Sequence, residues 1–174
     1  MADGPDGLPA SGHLASKGCI GMEFRRTVRI SAPLEDVWAL VDDVPAVAGC
    51  IPGLENLEMT GDREFRCVVN QRVGSVKSSF KLQNTIKDLE PLRSLTMVNE
   101  GKDPSLNSQV KATQTFTLDR DGDGTKVDIA ADFQVTGRIA TFGHRIIMAK
   151  AEQITVEALR NVEQLLAQRR AGVA

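Results

Sequence analysis

Between Met22 and Val135 apolar and polar residues alternate along most of the chain. In "EFRRTVRI", Phe24, Arg26, Val28 and Ile30 fall on one side and Glu23, Arg25, Thr27 and Arg29 on the other, the period of two expected of a strand with one packed face. "EFRCVVNQRV" sets Phe65, Cys67, Val69, Gln71 and Val73 against Arg66, Asn70 and Arg72. "SFKLQNTI" aligns Phe80, Leu82, Asn84 and Ile86, and "SLTMVNEG" adds a less regular strand. "QVKATQTFTL" aligns Val110, Ala112, Gln114, Phe116 and Leu118, and "TKVDIAADFQV" aligns Val127, Ile129, Ala131, Phe133 and Val135. Alternation sustained over so many segments predicts an antiparallel sheet with one buried face.

Two stretches break the rhythm. After the first strand, Pro33 suits a helix start, where no N–H is needed, and Glu35 and Asp36 favour the positive end of the helix dipole. Val37, Trp38, Leu40 and Val41 give that helix its apolar side. A second short helix, Val44 to Gly49, must stop before Pro52-Gly53, which fits the centre of a type II turn with glycine at positive φ. The other break is C-terminal. From Arg138 to about Arg170 there is no proline, and Ile139, Phe142, Ile146, Ile147, Ile154, Ala158, Val162 and Leu165 form a drifting apolar stripe. This predicts one helix of ~50 Å at 1.5 Å per residue. Laid across the concave face of a twisted sheet, it closes a core and leaves room for a cavity.

The 174 residues suffice for one domain. Residues 1–21, rich in Gly, Pro, Ser and Ala, read as a disordered leader or a cloning remnant, residues 22–170 as the folded domain and 171–174 as a short tail. A net charge of -2 gives no reason to expect a nucleic-acid partner. Cys19, Cys50 and Cys67 are far apart, with no histidine at metal spacing, which argues against a disulfide framework or a zinc site. No run approaches the roughly 20 apolar residues that cross a bilayer. The expected setting is the reducing cytoplasm.

Candidate chemistry is thin. "LDRDGDGTKVDI" spaces Asp119, Asp121, Asp123 and Gly124 like the start of an EF-hand loop, but its twelfth position is Ala130 and its flanks read as strands, so a hairpin turn is expected. Cys50 as a nucleophile needs a base, and the two histidines are His13, in the leader, and His144, in the long helix. Packing explains Cys50 better. His144 reads as a surface residue or a polar contact near a cavity mouth. Gly143 marks either a close approach of sheet or ligand, or a bend. The inner strand faces carry the amides Gln71, Asn84 and Gln114 and no Asp, Glu, Lys or His, so general acid-base catalysis has no evident agent there.

The runs "ISAPLEDVWALVDD", "CIPGLENLE", "QRVGSVKSSFKLQ" and "GTKVDIAADFQVTGRIATFGHRII", in this order, resemble the CoxG family of carbon monoxide dehydrogenase subunits, within the START-like, or Bet v 1-like, superfamily (SRPBCC). The likeness covers roughly Met22 to Arg170. "GKDPSLNSQVKA" departs from the glycine-rich segment usual between the fifth and sixth strands. The resemblance implies an α+β helix-grip fold: a seven-stranded antiparallel sheet wrapped around a long C-terminal helix, with two short helices after strand 1. It also implies a non-catalytic accessory role beside a molybdenum hydroxylase. A lipid or isoprenoid quinone would be the cavity occupant, with no covalent or metal cofactor, and the protein would be cytoplasmic with peripheral contact at the inner membrane. On this reading Val69, Phe80, Phe116, Phe133, Ile139, Phe142 and Ile146 desolvate the ligand. Gln71, Asn84 or Gln114 orient its polar end, and Gly143 lies beside it. Two alternatives stay open: recruitment of a partner enzyme through the "GKDPSLN" loop and Arg160, Arg169 and Arg170, without a cavity ligand, and a START-like enzyme.

Overall fold

The computed structural model describes residues 18–172. Seven strands form a single antiparallel sheet in the order β1-β7-β6-β5-β4-β3-β2. They are β1 (Cys19–Ile30), β2 (Leu54–Met59), β3 (Glu64–Val73), β4 (Val76–Glu90), β5 (Ser94–Asp103), β6 (Ser108–Asp121) and β7 (Gly124–Thr136). Two short helices, α1 (Leu34–Val41) and α2 (Val44–Cys50), follow β1, and α3 (His144–Gly172) ends the described chain. This is the helix-grip architecture the resemblance implies.

Turn chemistry fixes the register. Gly74, at φ 60°, opens the two-residue β3–β4 turn, and Gly122, at φ 61°, opens the β6–β7 turn. Both sit at the first central position of a hairpin turn, where glycine meets no steric penalty. The acidic run is therefore a hairpin, as expected, and Arg29 occupies its carboxylates: Nε donates to Asp121 Oδ2 at 3.0 Å and Nη2 to Asp123 Oδ1 at 3.4 Å. At the end of α2, Gly53 has φ 79°, and a side chain there would collide with the Asn70 carbonyl. The Ile-Pro-Gly stretch thus turns the chain from helix into sheet because only glycine fits.

Three boundaries differ from the sequence reading. β1 begins at Cys19, because Cys19, Ile20 and Gly21 pair with Thr136, Val135 and Gln134 of β7. The expectations for residues 1–17, including His13, lie outside the described residues. The long helix starts at His144, not Arg138: Ile139–Phe142 form a 3-10 turn and Gly143, at φ 84°, breaks the chain before the helix proper. Its 29 residues continue to Gly172, into the supposed tail, about 44 Å at 1.5 Å per residue.

A concave face between two cores

Cross-strand register decides which side chains share a face. Phe65, Asn84, Asn99, Ala112, Phe133 and Met22 stand in one row across the sheet. Ile86, Met97, Gln114, Ala131 and Phe24 form the next row. Val69 pairs with Phe80, Gln71 with Ser78, and Phe116 with both Leu95 and Ile129. The predicted strand residues Val69, Gln71, Phe80, Asn84, Gln114, Phe116 and Phe133 therefore lie on one face, the one α3 covers.

Two apolar cores close the ends of this face. At one end Trp38, Leu40 and Val37 of α1 pack with Leu118, Val127 and Leu166. At the other, Met22, Val73, Val135, Ile139 and Ile147 pack together. Ile86, Leu95, Met97, Gln114 and Ala131 belong to neither core and are only half-buried. The long helix meets the sheet mainly at β1 and β3, so it bridges the flanks rather than pressing on the middle. Arg26 of β1 and Glu152 of α3 form an ion pair at the β1 flank. Asn161 Nδ2 ties α3 to α2 by donating to the Cys50 carbonyl at 2.9 Å.

Several expected roles change. Ile146 is exposed and Ile147 is buried, because the break at Gly143 shifts the phase of the helix. Ile139 is buried in the end core, and Phe142 packs against it half-buried, its ring over Gly74. Gly143 is a bend: a methyl built on it meets nothing within 4 Å. His144 is exposed. Gln71 is already anchored, since its Nε2 donates to the Pro52 carbonyl at 2.6 Å. Arg169 pairs with Asp43 at 2.8 Å and Arg170 with Asp36 at 4.0 Å, so both arginines hold α3 to α1 and α2. The "GKDPSLN" segment is not a free loop either. Gly101–Asp103 complete β5, and Leu106 is buried.

The face is also less purely amide than its alternation suggested. Arg26 belongs to it, with Nε buried and unpartnered. Asp103, buried, accepts from Ser79 N at 2.8 Å, Ser105 N at 3.0 Å and Ser105 Oγ at 2.6 Å. Burial pushes its pKa up, but these bonds outweigh that, and its carboxyl is held below the usual range. Asn99, missed in the irregular "SLTMVNEG", is buried beside Asn84. The signal was present: Leu95, Met97, Asn99 and Asp103 keep period two, with Gly101 masking it. Asn84 Nδ2 donates to the Phe65 carbonyl at 3.3 Å and to Cys67 Sγ at 3.4 Å, and Asn84 Oδ1 accepts from Asn99 Nδ2. The Gln114 side chain has no hydrogen-bond partner among the described residues.

Both buried thiols are held protonated. Burial raises the pKa of Cys50 against a lowering influence of Arg169, and that of Cys67 against the Asn84 bond. Cys50 Sγ lies 3.5 Å from the Ala46 carbonyl of its own helix. It is a packing residue.

The opposite face carries an open concavity of about 820 Å³. Arg66, Lys81, Gln83, Lys102, Gln109 and Lys111 line it. Lys81 and Lys102 stand directly opposite each other on β4 and β5.

The family model for CoxG, a carbon monoxide dehydrogenase subunit, matches residues 27–167. The chain belongs to that family. CoxG motif residues identified in the sequence fall at structural joints: Gly53 and Gly74 at turns, Trp38 in a core, Gly143 at the break before α3. No curated protein matches the chain significantly. Among solved structures, a conserved protein from Geobacillus kaustophilus superposes with TM-score 0.79 at 18% identity, covering 84% of this chain and 96% of that one. The ZhuI aromatase/cyclase from Streptomyces sp. R1128 gives 0.65 at 19%, covering 89% and 100%. Norcoclaurine synthase from Thalictrum flavum gives 0.61 at 15%, covering 89% and 99%. At these identities the likeness is one of fold. Among the described residues no helix is long and apolar enough to cross a membrane.

Proposed function

We propose that this CoxG-family chain is a non-catalytic accessory protein that holds an apolar molecule, a lipid or isoprenoid quinone, between the sheet and α3. One observation carries the reading. The middle of the concave face bears half-buried Ile86, Leu95, Met97 and Ala131, with Phe116 and Phe133 packed half-buried against the cores to either side, while α3 spans the flanks. Apolar surface left partly wet inside a grip gains ~25 cal/mol per Å² when an apolar chain covers it, before association costs are subtracted. Val69, Phe80, Phe116 and Phe133 line the bay, with Gln114 the amide free to meet a polar group. Ile139 and Phe142 wall one end.

Holding is favoured over turnover by the chemistry of the polar groups. Asp103 is fixed as a carboxylate by its hydrogen bonds, Cys67 is kept protonated by burial, and Arg26 is paired with Glu152. The amides do not titrate. The family name supports a carbon monoxide dehydrogenase, a molybdenum hydroxylase, as the partner enzyme, and an apolar cargo supports cytoplasmic action with contact at the inner membrane.

Native mass spectrometry of the protein, with titration of 1-hexadecanol, a fatty acid and a short-tailed ubiquinone, tests the holding function. The reading expects an adduct or saturable binding of at least one. A folded protein that carries nothing and binds none of the three overturns it.

A further inference from the structure

Two buried atoms of the concave face have no partner among the described residues: Arg26 Nε, on a guanidinium already paired with Glu152, and Asn99 Oδ1, whose chemistry bears on the cargo. The Phe65 carbonyl only accepts, so Asn84 turns Nδ2 toward it, at 3.3 Å. Asn84 Oδ1 therefore faces β5 and accepts from Asn99 Nδ2. With its nitrogen turned to Asn84 on β4, Asn99 holds Oδ1 on the side away from that bond. That oxygen is buried and unpartnered, on a residue only 7% exposed. Directly across on β6 stands Ala112, whose methyl donates nothing.

Flipping the amides does not remove the fault. Reversing Asn99 alone sets two oxygens against each other, and reversing both sets Asn84 Oδ1 against the Phe65 carbonyl. A buried acceptor without a donor is costly, and a molecule that supplies the donor recovers that cost. Met97 and Gln114, both half-buried in the neighbouring row, border Asn99 on the side of the bay.

Resting on the holding function proposed above, we infer that the buried polar end of the cargo is a hydrogen-bond donor received by Asn99 Oδ1: the hydroxyl of an alcohol, phenol or hydroquinone. Cargo of the same shape whose polar end only accepts is discriminated against. Asn99 is then a specificity-determining residue, and Asn84 positions it.

The test compares 1-hexadecanol with hexadecyl methyl ether, which keeps the chain and the oxygen but removes the donor. Wild-type protein is expected to bind the alcohol roughly tenfold more tightly, the scale of one buried hydrogen bond. In the Asn84→Leu/Asn99→Leu double variant, which removes both polar groups together, the ratio falls to about one while ether binding persists. If wild-type protein binds both equally, a water or the Gln114 side chain satisfies Asn99 and the inference is overturned, with the holding function intact. If folded wild-type protein binds neither, the holding function fails and takes the inference with it. The wild-type ratio decides the matter even where the double variant does not fold.

Discussion

The two faces of the sheet differ in chemistry: one carries an open polar concavity, the other half-buried apolar side chains beneath α3. The outer concavity, about 820 Å³, is open and lined by Arg66, Lys81, Lys102 and Lys111, with Glu100, paired to Lys111, and glutamines between them. The concave face under α3 presents half-buried aliphatic and aromatic side chains and a few amides. Volume alone singles out the outer face. Physical chemistry singles out the inner one, because lysines beside water are already solvated and gain little, whereas partly wet apolar surface gains by being covered. The outer hollow is what a strong twist does to a polar sheet surface. The inner face is spanned by a helix braced at its margins, through Arg26–Glu152, Asn161–Cys50 and Arg169–Asp43.

Substitutions on the two faces should therefore behave differently, and the largest difference is expected at Ala131. Ala131→Trp places a bulky ring in the middle of the concave face. Binding of a 16-carbon alcohol should fall at least tenfold, with at most about 1–3 kcal/mol lost from stability by overpacking. Unchanged binding in a titration would break the comparison.

Asp103→Asn comes next. Losing charge-assisted bonds from Ser79 and Ser105 should cost about 2 kcal/mol in urea unfolding at neutral pH. The pH dependence has a definite sign. The folded carboxyl titrates below its ordinary value of 3.8, so its contribution is present above that value and is lost as pH falls through the lower folded pKa. Wild-type protein should lose stability in that acid window, and the variant should show a flatter curve there.

Glu152→Gln leaves Arg26 without its counter-charge. Because the pair is partly exposed, the expected loss is about 1 kcal/mol or less, read as a small shift in urea midpoint. The smallest effect belongs to the outer face. Lys102→Gln relieves the like-charge opposition with Lys81, so stability should stay within about 0.5 kcal/mol of wild type or rise slightly, and alcohol binding should be unchanged. A large loss of binding there would move the site to the outer face.

Much of this was legible in the sequence, for a physical reason. Alternation is written residue by residue, so Val69, Phe80, Asn84, Gln114, Phe116 and Phe133 could be assigned to one face from their spacing alone. Turn glycines at Gly53 and Gly122 were equally readable, since backbone geometry demands them. Helix phase was not. Ile139–Phe142 and α3 differ by a break whose only mark is Gly143, and a helical stripe drawn through it puts both Ile146 and Ile147 inside when Ile146 is exposed. Long-range polar partners were also out of reach. Nothing local says that Gln71 is bound to Pro52, that Arg169 is bound to Asp43, or that Asn99 lies beside Asn84, because each depends on segments brought together by the fold.

The most direct test is photo-crosslinking with a diazirine-bearing 16-carbon alcohol, the labelled residues being mapped by tandem mass spectrometry. Labels on Met97, Phe116, Ala131 or Phe133 are the predicted result. Labels confined to Lys81, Lys102 and Lys111, or label incorporated equally by folded and unfolded protein, would contradict a cargo held between sheet and helix.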